Sequence, residues 1–137
     1  MRIYLSGKIT GREKEDYTRQ FARAESFYKT GGFDVVNPVT IGEVILKNNP
    51  KAKWGDFMAE DLKALRTCTH IVLLEGWEES KGAKTEKAEA EKLGLEIMYL
   101  KLLQNEMKIK LSLGKKLYFQ NFQRRVNRNG KDRTSRT

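Results

Sequence analysis

The chain has 137 residues and 39% hydrophobic residues, which suits one globular domain with a single core and argues against a disordered chain. No apolar run approaches the ~20 residues that a membrane-spanning helix needs. One cysteine and one histidine are too few for a structural zinc site, which takes about four ligands. We therefore expect a cytoplasmic protein that uses no membrane, no metal and no cofactor, in which Cys68 stays reduced.

The net charge of +9 is concentrated at one end of the chain. Residues 102–137 contain ten Lys and Arg against two acidic residues, whereas residues 1–101 are close to neutral. We predict an α/β domain over 1–101 and a basic C-terminal extension over 102–137, with a hairpin pattern first and a disordered tail after it. Only this extension has the charge for nucleic-acid contact, although a solvated terminal extension is the simpler interpretation.

Strands and helices alternate along the first hundred residues. In chain order the pattern predicts a strand over 2–5, a helix over 13–30, a strand over 33–36, a weak helix early in 39–53, a helix over 54–66, a strand over 71–74, a helix over 84–93 ending at Gly94, and a strand over 96–100. This order predicts a three-layer fold, a parallel sheet flanked by helices in a flavodoxin-like or Rossmann-like arrangement.

Ligands of such sheets bind at the carboxyl ends of the strands. The segments that follow the first three strands are residues 6–12, 37–38 and 75–85, and we expect them to open onto one edge. Neither a P-loop nor a G-x-G-x-x-G motif follows the first strand, which argues against a nucleotide-dependent dehydrogenase. Gly7 and Lys8 at a helix entrance, with Arg12, nevertheless offer N–H groups and positive charge to a phosphate. A tight turn with solvated charges is the alternative.

Two acidic residues are the candidates for chemistry. Glu86 follows a glycine-containing loop and is predicted in the first turn of a helix, where a helix-end charge is the ordinary explanation. Asp61 shares a helical stripe with Phe57 and Leu65, so it should face the core or a cavity edge. If the two carboxyls converge, they form the pair that glycosidic-bond cleavage requires.

Four other residues have simpler interpretations. His70 and Cys68 are predicted to serve packing, and Trp54 is predicted to belong to the core. Trp77 could stack on a base or form a lid or dimer contact.

Several short segments resemble a known group of enzymes. They are residues 3–9, Val36-Asn37-Pro38, Asp61-Leu62, and residues 76–86 with Ala90. Over roughly residues 1–100 the chain resembles the nucleoside 2-deoxyribosyltransferase-like superfamily, which includes the 2'-deoxynucleoside 5'-phosphate N-hydrolases, and is most similar to its short bacterial and phage members.

The resemblance implies roles for named residues. Glu86 would be the nucleophile that attacks C1' of the sugar, and Tyr4 would lie beside the sugar and the nucleophile. Asp61 would assist at the base or orient the nucleophile. Ser80 stands where monophosphate hydrolases bind the 5'-phosphate, with Gly82 supplying N–H groups.

The resemblance also implies a nucleotide substrate and a homodimer. Asn37, which follows the second strand at the same edge, is a further candidate for binding the substrate or its phosphate. The reaction would be hydrolysis or transfer at the N-glycosidic bond of a (deoxy)nucleoside 5'-monophosphate. The alternative is a nucleotide-binding or sensing domain without turnover, associated with phage biology.

Overall fold

The structure is a computed structural model that describes residues 1–101. Its elements in chain order are β1 (Arg2–Ser6), α1 (Lys14–Thr30), β2 (Asp34–Val36), α2 (Pro38–Asn48), α3 (Trp54–Leu65), β3 (His70–Leu74), a short 3-10 helix (Trp77–Glu79), α4 (Lys81–Lys92) and β4 (Glu96–Leu100). The predicted elements are therefore confirmed in type and order.

The four strands form one parallel sheet in the order β2-β1-β3-β4. Tyr4 of β1 lies between Val36 of β2 and Ile71 of β3. The chain moves from β1 outward to β2 and then crosses to the other side of β1, so the switch point of the sheet lies between β1 and β3. This order confirms the predicted flavodoxin-like arrangement.

Helices cover both faces of the sheet because successive side chains of a strand point in opposite directions. On one face, a Cβ atom at Gly7 would lie 3.1 Å from Phe21 of α1 and 3.2 Å from Leu74. On the other face, Tyr4 belongs to a buried cluster that includes Leu65 of α3 and Ala90 of α4. Ser6 shares the face of Tyr4, which directs both side chains toward α3 and α4.

The central strand β3 is buried along its whole length. Its apolar residues Ile71, Val72, Leu73 and Leu74 are at most 1% exposed, and each such side chain stabilises the fold by about 1.5–3 kcal/mol. The continuous apolar run in the sequence therefore identified this strand correctly.

Two predictions about the elements were wrong. Helix α4 begins at Lys81, one turn before the predicted Lys84, because the Ser80 hydroxyl accepts a hydrogen bond from the Ala83 N–H at 3.1 Å and caps the helix. Glu86 therefore lies in the second turn, beyond the range in which a helix-end charge would account for it. Trp54 is 41% exposed and does not belong to the core.

Other predictions were correct. Gly94 has a φ of +70° directly after α4, the left-handed conformation that glycine adopts most easily at a helix end. Cys68 is buried, and its thiol donates to the Ala64 carbonyl. His70 is buried beside Glu96 and Thr69, in keeping with a packing role.

Residues 102–137 lie outside the described residues, so the predicted hairpin, basic tail and domain boundary stay predictions. Within residues 1–101, no helix has the length and apolarity to cross a membrane.

Candidate active site

A cavity of about 730 Å³ opens where the strands end. Its lining comes from residues 7–10, 38–39 and 79–83, together with Lys14, Tyr17, Gly42, Glu43, Leu46, Trp54, Phe57, Met58, Asp61 and Glu86. Each of the three predicted loop segments contributes, so their expected convergence at one edge is confirmed. The volume lies in the range of small-molecule sites.

Glu86 reaches this cavity from α4 and is only 4% exposed. Its Oε2 accepts a hydrogen bond from the Tyr4 hydroxyl, and its Oε1 accepts one from the Ser6 hydroxyl at 2.8 Å. Tyr4 and Ser6 stand two residues apart on one face of β1, so the strand presents both donors to the carboxyl group. The carboxyl group is thereby held by a donor on each oxygen.

Burial dominates the electrostatics of Glu86. Desolvation raises its pKa to about 8, and the nearby carboxyl of Asp61 acts in the same direction. The hydroxyls of Tyr4 and Ser6 act in the opposite direction, because both donate to the charged form. Near neutral pH this carboxyl is therefore poised to gain or lose a proton.

Asp61 lines the same cavity from α3. Burial raises its pKa to about 7, with a smaller contribution from the charge of Glu60. The helical stripe that aligns Asp61 with Phe57 and Leu65 does turn it inward, and it meets the cavity edge instead of packed hydrocarbon. Two acids that are 25 positions apart in the chain thus share one cavity.

Ser80 and Gly82 form part of the cavity where α4 begins. The Ser80 oxygen accepts from the Ala83 N–H, so its own proton remains able to bind an acceptor on a ligand. A Cβ atom at Gly82 would lie 3.1 Å from the Met58 methyl group and 3.8 Å from the Trp54 indole nitrogen. Glycine therefore lets α3 approach the start of α4 closely.

Positive charge lies around the same opening. Lys8, Lys14 and Lys81 line the cavity, and Gly7 lines it next to Lys8. The Lys8 ammonium lies 3.4 Å from a Glu79 carboxylate oxygen. The Lys81 ammonium lies 4.6 Å from the centre of the Trp54 ring, in a cation–π contact.

Two predicted phosphate-binding residues do not line the cavity. The Arg12 guanidinium donates to the side chain of Gln20 and to the Lys8 carbonyl. Asn37 caps α2 by accepting from the Val39 N–H at 3.0 Å, and it donates to Glu25 at 3.1 Å. Both side chains already stabilise loops, and a role in binding phosphate stays a prediction for them.

Trp77 also lies outside the cavity lining. Its ring contacts Tyr99 at 5.9 Å and carries the Lys87 ammonium at 5.1 Å. The aromatic surface of the cavity comes instead from Tyr17, Trp54 and Phe57. These rings provide the flat apolar surface that a nucleobase requires.

Sequence reasoning missed Ser6 and the position of Trp54. The two-residue spacing between Tyr4 and Ser6 contains the signal for Ser6, since both must share a strand face. No comparable signal exists for Trp54, because the space beside it is created by helices from different parts of the chain.

Among residues 1–101, no cluster of three or more His, Cys, Asp or Glu residues could hold a metal ion.

The sheet order and the cavity at its switch point define an α/β domain with a parallel sheet of flavodoxin-like order. A solved 2-deoxyribosyltransferase from Bacillus psychrosaccharolyticus shares this fold, with a TM-score of 0.54, 17% identity, and coverage of 78% of this chain and 79% of the enzyme. A CMP N-glycosidase from Clostridium botulinum gives a TM-score of 0.49 at 18% identity, covering 83% of this chain and 79% of that protein.

The sequence identifies the family directly. The model of the family described as "Domain of unknown function (DUF4406)" matches residues 1–99, and the chain belongs to this family. No curated protein has a matching sequence.

Proposed function

We propose that this protein cleaves the N-glycosidic bond of a (deoxy)nucleoside 5'-monophosphate through a covalent intermediate on Glu86. The observation that carries the proposal is the buried Glu86 carboxyl, held at the cavity by Tyr4 and Ser6 and accompanied by Asp61. The fold shared with a 2-deoxyribosyltransferase supports the same class of reaction.

In the first step, an ionised Glu86 oxygen forms a bond to C1' of the sugar as the bond from C1' to the base nitrogen breaks. The electron pair of that bond leaves with the base. Asp61 supplies the proton that neutralises the base in those molecules in which Asp61 is protonated and Glu86 is ionised. Because the two pKa values are about 7 and about 8, this combination is populated near neutral pH, although the opposite one is more common.

In the second step, water attacks C1' and gives a proton to the Asp61 carboxylate. The bond between C1' and Glu86 breaks, and its electrons return to the Glu86 oxygen. Tyr4 and Ser6 stabilise the regenerated carboxylate by donating to it. A second base in the place of water would make the reaction a transfer.

The remaining cavity residues favour a phosphorylated nucleoside. The Ser80 hydroxyl and the Gly82 N–H at the start of α4, with Lys8 nearby, can bind the 5'-phosphate. Trp54 and Phe57 supply an apolar surface for the base. The cavity would therefore contact both the phosphate and the base of a nucleotide.

The direct test measures free base released from deoxynucleoside and ribonucleoside 5'-monophosphates. We expect release by the wild-type protein and a loss of at least ~10³-fold in Glu86→Gln, because the variant has no nucleophile. The matched control is Glu91→Gln, an exposed acid on the same helix, which should change the rate less than about twofold. Release at the wild-type rate by Glu86→Gln would refute the role of Glu86.

A nucleotide-binding domain without turnover is the second candidate. It is favoured by the raised pKa of Glu86, because a protonated carboxyl is not a nucleophile. The two candidates separate in a series from pH 6 to pH 9, which includes the range in which some molecules have Glu86 ionised and Asp61 protonated. Calorimetry that detects nucleotide binding while no base is released at any pH of the series would establish the second candidate.

A further inference from the structure

An ion pair crosses one side of the cavity. The Lys8 ammonium lies 3.4 Å from the nearer Glu79 carboxylate oxygen. Lys8 follows β1, whereas Glu79 ends the 3-10 helix and directly precedes Ser80. Both residues line the cavity, so the pair connects the two loops that flank the expected phosphate position.

This pair is weak enough to exchange partners. The Glu79 side chain is 75% exposed and that of Lys8 is 31% exposed. Ion pairs in such surroundings contribute about 0–1 kcal/mol. A phosphate dianion carries more charge than a carboxylate and offers more acceptor oxygens, so it would compete successfully for the ammonium group.

Glu79 also opposes an anion directly. A phosphate at Ser80 would lie next to the residue that precedes it in the chain, and the Glu79 carboxylate would repel it. Lys14 and Lys81 also line the cavity, and Lys81 lies over the Trp54 ring. Release of Lys8 from Glu79 adds to their positive charge beside the residue that precedes Ser80.

We propose that Glu79 is a specificity-determining residue that neutralises Lys8 in the free protein and yields it more readily to a dianion such as a 5'-phosphate than to a singly charged ligand. This inference rests on the proposed function for the identity of the ligand. A singly charged ligand competes less well for Lys8, and a neutral ligand leaves the ion pair intact. Glu79 thus makes the site selective for the charge of the ligand.

Inorganic phosphate at pH 8 is the probe, added to the full chain and followed by NMR at the Gly82 and Ala83 amides. These amides report on the start of α4 and not on the basic residues beyond position 101. Since phosphate has no glycosidic bond, the binding measurement does not depend on catalysis.

We expect Glu79→Gln to tighten phosphate binding by about 3–10-fold, because the competing carboxylate is lost. Glu78→Gln removes the same charge from an exposed neighbour outside the cavity lining and should change the affinity less than about twofold. In a Lys8→Met background, Glu79→Gln should tighten phosphate binding by clearly less than in the presence of Lys8, because only the direct repulsion by Glu79 is then removed.

Three results would overturn the inference. They are an unchanged or weaker affinity in Glu79→Gln, an equal gain in the Lys8→Met background, and amides that do not respond to phosphate in the wild-type protein. Failure of the proposed function would be seen separately, as the absence of base release by a protein whose phosphate affinity still depends on Glu79.

Discussion

At the residue scale, the site depends on how one carboxyl group is held. The sequence indicated Glu86 as a candidate because it follows a glycine-containing loop. It indicated Asp61 because this residue lies on an apolar helical stripe. The structure adds the hydroxyl of Ser6, which donates to Glu86 beside that of Tyr4. A strand can present two donors to one carboxyl because every second side chain shares a face.

The Tyr4 hydroxyl should control the protonation of Glu86. Tyr4→Phe removes a donor that stabilises the charged carboxylate, a contribution of about 1.5–3 kcal/mol, and one pKa unit corresponds to about 1.4 kcal/mol. We therefore expect the pKa of Glu86 to rise by about one unit in Tyr4→Phe. The measurement is a carbon-13 NMR titration of the Glu86 side-chain carboxyl between pH 5 and 10.

Tyr99→Phe is the matched control, because Tyr99 is exposed on β4 and lies outside the cavity lining. It should leave the pKa of Glu86 unchanged. A Glu86 pKa in Tyr4→Phe that equals the wild-type value would contradict the proposed effect of this hydrogen bond.

At the element scale, the beginning of α4 forms part of the cavity wall. The helical pattern predicted a start at Lys84, whereas the Ser80 cap extends the helix to Lys81. The sequence did not predict this extra turn because it contains Gly82, and glycine is a poor helix former. The cap and the approach of Met58 stabilise the turn in the folded protein.

Two substitutions at Ser80 distinguish an effect on helix capping from an effect of charge on phosphate binding. Aspartate and asparagine both cap helices well, so Ser80→Asp and Ser80→Asn should retain the fold. Only aspartate repels a phosphate, at a cost of about 3 kcal/mol, which corresponds to roughly 10²-fold. We expect kcat/KM for monophosphates to fall by that factor in Ser80→Asp relative to Ser80→Asn.

The corresponding nucleosides provide the internal control for these variants. Their kcat/KM should differ little between Ser80→Asp and Ser80→Asn, because they carry no phosphate. An equal loss on nucleosides and monophosphates would mean that Ser80 does not contact the phosphate.

At the scale of the whole molecule, the two cavity acids make stability depend on pH. Burial raises the pKa of Glu86 to about 8 and that of Asp61 to about 7, whereas unfolded carboxyls titrate near pH 4. Between these limits the folded protein binds more protons than the unfolded chain. The free energy of unfolding should therefore decrease as the pH rises from about 4 to about 8.

Glu86→Gln measures how much Glu86 alone contributes to this pH dependence of the free energy of unfolding. The amide cannot ionise, so the variant should be more stable than the wild type at pH 9 by roughly 2–4 kcal/mol, and this advantage should shrink toward pH 5. Urea unfolding at both pH values measures the difference. An advantage that is equal at pH 5 and pH 9 would show that Glu86 is ionised throughout that range.

The sequence by itself determined the order of the elements, the parallel sheet and the two principal acids of the site. These features depend on local periodicity, on the continuous apolar run of β3 and on the rule that loops after parallel strands share one edge. The sequence did not indicate where α4 begins, nor that Trp54 lines a cavity instead of belonging to the core.

Only the tertiary structure decided that Ser6 contacts Glu86, that Trp54 faces a cavity, and that Lys8 pairs with Glu79. Each of these contacts joins residues distant in the chain, and its existence depends on distances set by the packing of helices on the sheet. Periodicity specifies the face on which a side chain lies, but it does not specify what lies opposite that face.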